Sequence, residues 1–421
     1  MSDATTSLLV LAGAVALFVW NRLPAAVVAV LTALALAATG VLTEAQALAG
    51  FGDPVVVFIA TLFVLSEGLQ ASGVTGWAGE QVLARAGTGR TRVLVAVMGL
   101  AAVTSALVTP NGAAAAVLPV ALLVARRSGL APSRLAMPVA FGASAGALLT
   151  LAGSPVNVIV SDALAEQTGE RFGFVEFAAV GLPLTAVTVA VTALLGGRLL
   201  PDRGPARAVP GAAVHEDVLL GARAARALAV LAGTIALLAT GVVAPATAGV
   251  AGAVGMVLVR AVPVGRALRA VPWETLVLIG GLIPLSVAIA ESGAADVLAD
   301  VVVGVVPHGD GRLLLVALFV LTVLLGQFVS NAATVLVVTP VALAAAAETG
   351  VAPAPVLMLV AAAGAASFLT PIATPANMIV RDAGGYGFGD YWRLGAVLTL
   401  VWLVVVVAVV PVVWPLSPAP P

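Results

Sequence analysis

Gly153-Ser154-Pro155-Val156-Asn157 interrupts an apolar stretch and returns as Ala373-Thr374-Pro375-Ala376-Asn377, with Asp162 or Asp382 five residues after each asparagine. Working outward at the same offset of about 220 residues, Leu65-Ser66 recurs as Leu285-Ser286 and Ser72-Gly73 as Ser292-Gly293. Pro119-Val120 recurs as Pro340-Val341, and Gly181 and Thr185 return as Gly395 and Thr399 at a slightly shorter offset. Matches between such different residue types at nearly one offset do not arise from apolar bias alone. The chain is an internal repeat.

Composition says what the repeat is made of. Of 421 residues, 61% are hydrophobic and 9% charged, against roughly 45–50% and about 25% in soluble domains. The mean hydropathy is +1.16, and the excess apolar surface has to face lipid. Apolar runs long enough for a bilayer core recur along the whole chain. In the first repeat (1–200) they cover 7–20, 24–42, 55–69, 93–108, 114–125, 135–152 and 177–199. In the second (227–414) they cover 227–243, 247–259, 275–290, 313–329, 335–347, 356–371 and 394–413. An Arg- and Pro-rich linker (201–226) joins the halves, and 415–421 is a Pro-rich tail. The first run is preceded by Asp3 and by no basic residue, which makes it a transmembrane helix rather than a signal peptide.

Charge placement gives an orientation. Every basic side chain is an arginine, and the positive-inside rule is best met with both termini outside an inner membrane. Seventeen of the nineteen arginines then lie inside, and Arg171 and Arg312 lie outside. If 93–125 and 313–347 each enter and leave on one side, each repeat has five full crossings, so the halves are inverted. The same parity follows if these hairpins cross fully. Inverted repeats with Gly- or Pro-interrupted helices in matching places predict a secondary transporter with its site near the midplane.

The polar interruptions are the candidate site. Ser330-Asn331-Ala332-Ala333-Thr334 sits in apolar surroundings, where hydroxyls and an amide offer neutral oxygens and donors. Such residues also glue helices together. Pro155 and Pro375 should break their helices at 153–157 and 373–377, freeing carbonyls. The half-helix that follows aims N–H groups and partial positive charge at the break, which favours an anion. The freed carbonyls and the hydroxyl of Ser154 or Thr374 suit Na⁺. Glu67 is a possible proton relay or an interfacial side chain, Asp162 and Asp382 belong at helix ends, and Arg381 anchors a span. Trp77–Ala86 and 296–306 read as short interfacial helices in matching positions. With no cysteine and only His215 and His308, both in loops, thiol or histidine chemistry is excluded and no enzyme is expected.

These residues resemble the divalent anion:sodium symporter family, the citrate- and sulfate-transporter-like branch of the ion transporter superfamily. The resemblance rests also on Gly50-Phe51-Gly52-Asp53-Pro54, Pro272-Trp273-Glu274-Thr275 and Gly384-Gly385-Tyr386-Gly387-Phe388-Gly389-Asp390-Tyr391. It implies two re-entrant hairpins with Ser-Asn-Thr tips, a Na⁺ site in each half formed by tip and break, and substrate between them. It further implies elevator-like movement and a homodimer. Ser330 and Asn331 match the second tip; Ala332 stands at the threonine position and Thr334 keeps a second hydroxyl. Ser154, Asn157, Thr374 and Asn377 match the breaks, beside Gly153 and Pro375. The first tip departs: Thr109-Pro110-Asn111-Gly112-Ala113 has proline where asparagine is expected, so Thr109 and Asn111 would serve one residue out of register.

The expectation is therefore an all-α polytopic membrane protein of two inverted repeats, each with about five transmembrane helices and one re-entrant hairpin. It would move a small anion, a di- or tricarboxylate or an inorganic oxyanion, by alternating access. It has no cofactor beyond Na⁺ as coupling ion (at Ser330, Asn331, Thr374 and Asn377) and no nucleic-acid partner. The alternative is a proton-coupled or antiport member of the superfamily, for metalloid oxyanion efflux or Na⁺/H⁺ exchange.

Overall fold

Each stretch of apolar residues long enough to satisfy its own backbone in lipid winds into a helix, because there every peptide group must be paired internally. The computed structural model describes residues 2–20, 22–74, 77, 81, 89–203, 221–304 and 310–417. Its regular elements are all helical. Among the described residues, eight helices are long and apolar enough to cross a membrane, and shorter apolar helices lie between them. Most of the expected interfacial helix 77–86 and of the linker 201–226 falls outside the described residues.

The first half contains α1 (Asp3–Trp20), α2 (Ala25–Ala38), α3 (Glu44–Ala49), α4 (Pro54–Ala71), α5 (Arg90–Leu107), α6 (Pro110–Arg127), α7 (Ala136–Gly146), α8 (Pro155–Thr168) and α9 (Ala178–Leu199). The second half repeats the order with α10 (Ala222–Thr240), α11 (Pro245–Leu258), α12 (Val264–Ala270), α13 (Trp273–Glu291), α14 (Ala294–Val303), α15 (Gly311–Gly326), α16 (Asn331–Thr349), α17 (Pro353–Ala365), α18 (Pro375–Gly384) and α19 (Tyr391–Val413). The expected interfacial segment at 296–306 is thus α14, whose partner in the first half is not among the described elements.

The halves interleave. The second helix of each packs on the fourth of the other: α2 on α13, and α11 on α4. Small residues allow the close approach. A Cβ on Gly281 would stand 3.0 Å from Ala29, and one on Gly249 would stand 2.2 Å from Thr61 Oγ1. The equivalent helices α9 and α19 lie against each other and run antiparallel. At one end, Trp414 Nε1 donates to Glu176 Oε1 at 2.8 Å; at the other, Arg203 pairs with Asp390 at 2.5 Å.

Bonds near the helix ends sort the arginines onto one face. Arg134 donates to Gly197 O at 2.7 Å, and Arg223 Nη2 donates to Ala261 O at 2.8 Å. Arg266 ion-pairs with Glu67, so that carboxylate is tied to a basic partner. The Gly384–Tyr391 motif docks the second half onto the first on this same face. The Tyr386 hydroxyl accepts from Met137 N at 2.9 Å and donates to Ser133 O. Burial pushes this phenol well above its ordinary titration range, so it keeps the proton it donates.

Candidate functional site

In the first half helix α7 stops at Gly146 and α8 starts at Pro155; in the second α17 stops at Ala365 and α18 starts at Pro375. The α-helices are therefore interrupted over 147–154, where Ala147–Leu149 and Leu151–Gly153 form short 3-10 turns, and over 366–374. Each proline occupies the first turn of the restarted helix, where its missing N–H costs nothing. Ser154 and Thr374 precede them in extended conformation as caps. Ser154 Oγ accepts from Val156 N at 3.3 Å, and Thr374 Oγ1 from Asn377 N at 3.2 Å.

The asparagines hold the unwound strands. Asn157 Nδ2 donates to Ala147 O and Thr150 O, both at 2.8 Å. Asn377 Nδ2 donates to Ser367 O at 2.7 Å and Thr370 O at 3.0 Å, the same pattern in the second half. Both side chains are fully buried, and both carboxamide oxygens are left without a hydrogen-bond partner. Leaving a buried polar atom unpaired costs about 1–3 kcal/mol.

Helix α9 clamps the first break and α19 the second. A Cβ on Gly181 would lie 2.1 Å from Leu148 O, and one on Gly395 would lie 2.2 Å from Phe368 O. These close approaches require glycine in both halves.

The hairpin tips meet the breaks across the halves. Helix α6 packs on α18, and α16 packs on α8. Thr109 and Ser330 are the equivalent N-caps, with Pro110 and Asn331 next, so the first-half asparagine is displaced by one residue. Asn111 Oδ1 accepts from Ala376 N of the other half at 3.1 Å. Asn331 Oδ1 instead accepts from Ser367 Oγ at 2.8 Å within its own half. Ser330 Oγ is buried and unpaired, as is Gln327 Oε1 nearby. The two caps thus differ: Ser330 Oγ has no partner, whereas Thr109 Oγ1 accepts from Gly112 N at 3.4 Å.

The result is a cavity of about 790 Å³, its open mouth included. Thr109, Asn111, Ser154, Ser330, Asn331, Thr374 and Pro375 all line it. Gly153, Asn157, Thr334 and Asn377 are outside the lining: the two asparagines lie behind it, and Thr334 makes a long bond to Val329 O at 3.5 Å. The lining also includes Thr275, from the Pro272–Thr275 motif, and Phe63, Ser144 and Leu278, which the motifs did not single out. Ser144 stands among Gly142, Ala143, Ala145 and Gly146, a run of small residues that reads as helix packing. Four helices, α6, α8, α16 and α18, begin at this cavity. Each start carries a fraction of a positive charge, and no charged side chain lines the space.

Asp162 lies midway along α8, not at its end, and pairs with Arg171 at 2.7 Å. Arg381 and Asp382 lie near the end of α18 and are exposed.

The sequence matches the citrate transporter family over residues 15–310 and the sodium:sulfate symporter transmembrane region over residues 219–417. The chain belongs to the citrate transporter family. It is a multi-pass membrane transporter of the divalent anion:sodium symporter type, not an enzyme. An uncharacterized transporter of Escherichia coli (strain K12), YfbS, is 23% identical, with 96% of this chain and 98% of that one covered. An L-tartrate/succinate antiporter of the same strain is 33% identical over 138 residues, 32% of this chain and 28% of the antiporter. The YdaH transporter of Alcanivorax borkumensis shares the fold with a TM-score of 0.65 at 18% identity, covering 96% of this chain and all of that one.

Proposed function

We propose that this transporter carries a small di- or tricarboxylate or inorganic oxyanion by alternating access, coupled to Na⁺ held in each half. The single observation that carries the reading is the pair of buried, unpaired carboxamide oxygens, Asn157 Oδ1 and Asn377 Oδ1, behind one uncharged cavity. Such oxygens fit a hard monovalent cation. The four helix starts fit an anion between two such cations, with no arginine at the site. Buried tips support re-entrance of the hairpins at 93–125 and 313–347: Val108 and Thr109 are 2% and 4% exposed, whereas a hairpin that crossed fully would turn in water. The antiparallel packing of α9 and α19 supports inversion of the halves 1–200 and 227–414. The arginine-rich face is then cytoplasmic, both termini lie outside an inner membrane, and the protein works as a homodimer.

The relative whose name specifies tartrate and succinate favours a dicarboxylate as first substrate to try, and its antiport leaves exchange as the second reading. The test is uptake of radiolabelled succinate, citrate and sulfate into proteoliposomes, with and without a Na⁺ gradient, for wild type, Asn331→Ala and Asn377→Ala. Na⁺-driven accumulation of one anion that both substitutions impair is expected. Equal accumulation by all three proteins sinks the site assignment, and uptake that ignores Na⁺ but follows an opposing anion moves the reading to exchange.

A further inference from the structure

A second cavity, of about 490 Å³ with its open side included, lies between α4, α8, α13 and α16. Each of these helices touches both cavities in turn. Along α8, Val156 lines the central one and Ile159 the second; along α16, Ala332 and then Leu336; along α13, Leu278 and then Ile283. These gaps of three to five residues amount to about 4.5–7.5 Å of helix, and on α4 Val55 lines the second cavity and Phe63 the central one, about 12 Å apart. The second chamber is therefore stacked on the central cavity, about one to two helical turns away and on the side away from the arginine-rich face.

Its chemistry differs from that of the central cavity. Asp53, Asp162 and Glu166 all line it, against the one guanidinium of Arg171 paired with Asp162. Asp53 also caps α4, its Oδ1 accepting from Val55 N at 2.7 Å. No three acidic groups among the described residues converge as a metal centre would require, which argues against a chelated divalent ion. Two of the three acids belong to one end only: Asp162 has its equivalent in Asp382, but the positions equivalent to Asp53 and Glu166 are Trp273 and Tyr386.

The decisive group is Thr339. It is 3% exposed, it lines the chamber, and its hydroxyl has no partner. Thr192 also lacks a partner, but the buried helical threonines Thr32, Thr188 and Thr322 donate to the carbonyl four residues back at 2.7–2.8 Å. Thr339 does not. The next residue, Pro340, has no N–H for the Leu336 carbonyl, and Leu336 also lines the chamber. An unpaired hydroxyl oxygen thus lines the same chamber as three acidic side chains, next to a turn whose Leu336 carbonyl lacks its helical donor.

We infer that this chamber binds a small monovalent cation, with Thr339 Oγ1 as a direct ligand and Asp53, Asp162 and Glu166 supplying the field. That the ion then passes to the central cavity rests on the transport reading; its binding in the chamber does not.

The test is equilibrium binding of ²²Na⁺ to purified full-length protein in detergent, with size-exclusion profiles confirming that each variant is folded. On an Asn157→Ala/Asn377→Ala background, which removes the central oxygens, a Na⁺-binding component should remain. Thr339→Val should weaken it by about tenfold, the loss of one neutral ligand. Thr339→Ser should restore it, and Glu166→Gln should weaken it in an ionic-strength-dependent way. No residual component on that background, or one that Thr339→Val leaves unchanged, overturns the inference. Loss of the component on Thr339→Val with undiminished total binding in the double variant would instead overturn the central-site reading and leave the chamber standing.

Discussion

Gly395→Ala should be among the most damaging single-methyl additions in this protein. The new Cβ would stand 2.2 Å from Phe368 O and 2.7 Å from its carbonyl carbon. Both are backbone atoms, so no rotamer relieves the contact. Helix α19 has to withdraw by about 1 Å to regain an ordinary van der Waals distance. Overpacking of this kind costs about 1–3 kcal/mol, more where neither side gives. The withdrawal also reaches the site, because Phe368 lies in the unwound stretch whose Ser367 carbonyl is held by Asn377. The built-in reporter is Trp402, fully buried, edge-on to Phe368 at 4.8 Å, with Nε1 donating to Thr188 Oγ1 at 2.8 Å. Tryptophan fluorescence during thermal unfolding should show a lower midpoint and a red-shifted folded-state spectrum for Gly395→Ala. Gly233→Ala, where a Cβ meets nothing within 4 Å, should stay within about 1 kcal/mol of wild type. Coincident melting curves and spectra for Gly395→Ala and wild type would show that α19 does not clamp the break.

Further outcomes follow from the two halves. In proteoliposomes, Asn377→Ala should raise the Na⁺ concentration for half-maximal uptake by about 10–100-fold, as expected for two buried bonds and a ligand lost. Asn157→Ala should raise it less, because the hydroxyl of Thr109, the counterpart of Ser330, already accepts from Gly112 N, whereas that of Ser330 is unpaired; equal shifts would contradict that asymmetry. Tyr386→Phe removes the hydroxyl between Ser133 O and Met137 N, and should destabilise the protein by about 1–3 kcal/mol, read as an earlier melt with no change in Na⁺ dependence at low temperature.

What the sequence reveals of this molecule is its exceptions. Prolines, an asparagine and hydroxyls inside apolar runs are conspicuous, so the tips at 109 and 330 and the restarts at 155 and 375 could be located without coordinates. Ser144 and Phe63 could not: each is an ordinary residue of an ordinary helix, brought to the cavity only by packing between elements. Ser367 and Gln327 were hidden for the same reason, as their importance lies in which atoms they leave unpaired. Asp162 was misplaced because α8 continues past it to Thr168. Glu67 could be weighed as a relay only while Arg266, far along the chain, was not known to meet it.

The exchange of α2 and α11 between the halves has a bearing on how such a chain forms. Neither half encloses its own interior, since the face of α4 that receives α11, and the face of α13 that receives α2, remain bare until the other half is made. A ribosome releasing the first 200 residues therefore releases a wound still open, and the membrane must shelter it until the remainder arrives. Doubling an ancestral gene would have fused two partners already entwined, rather than two finished molecules lying side by side.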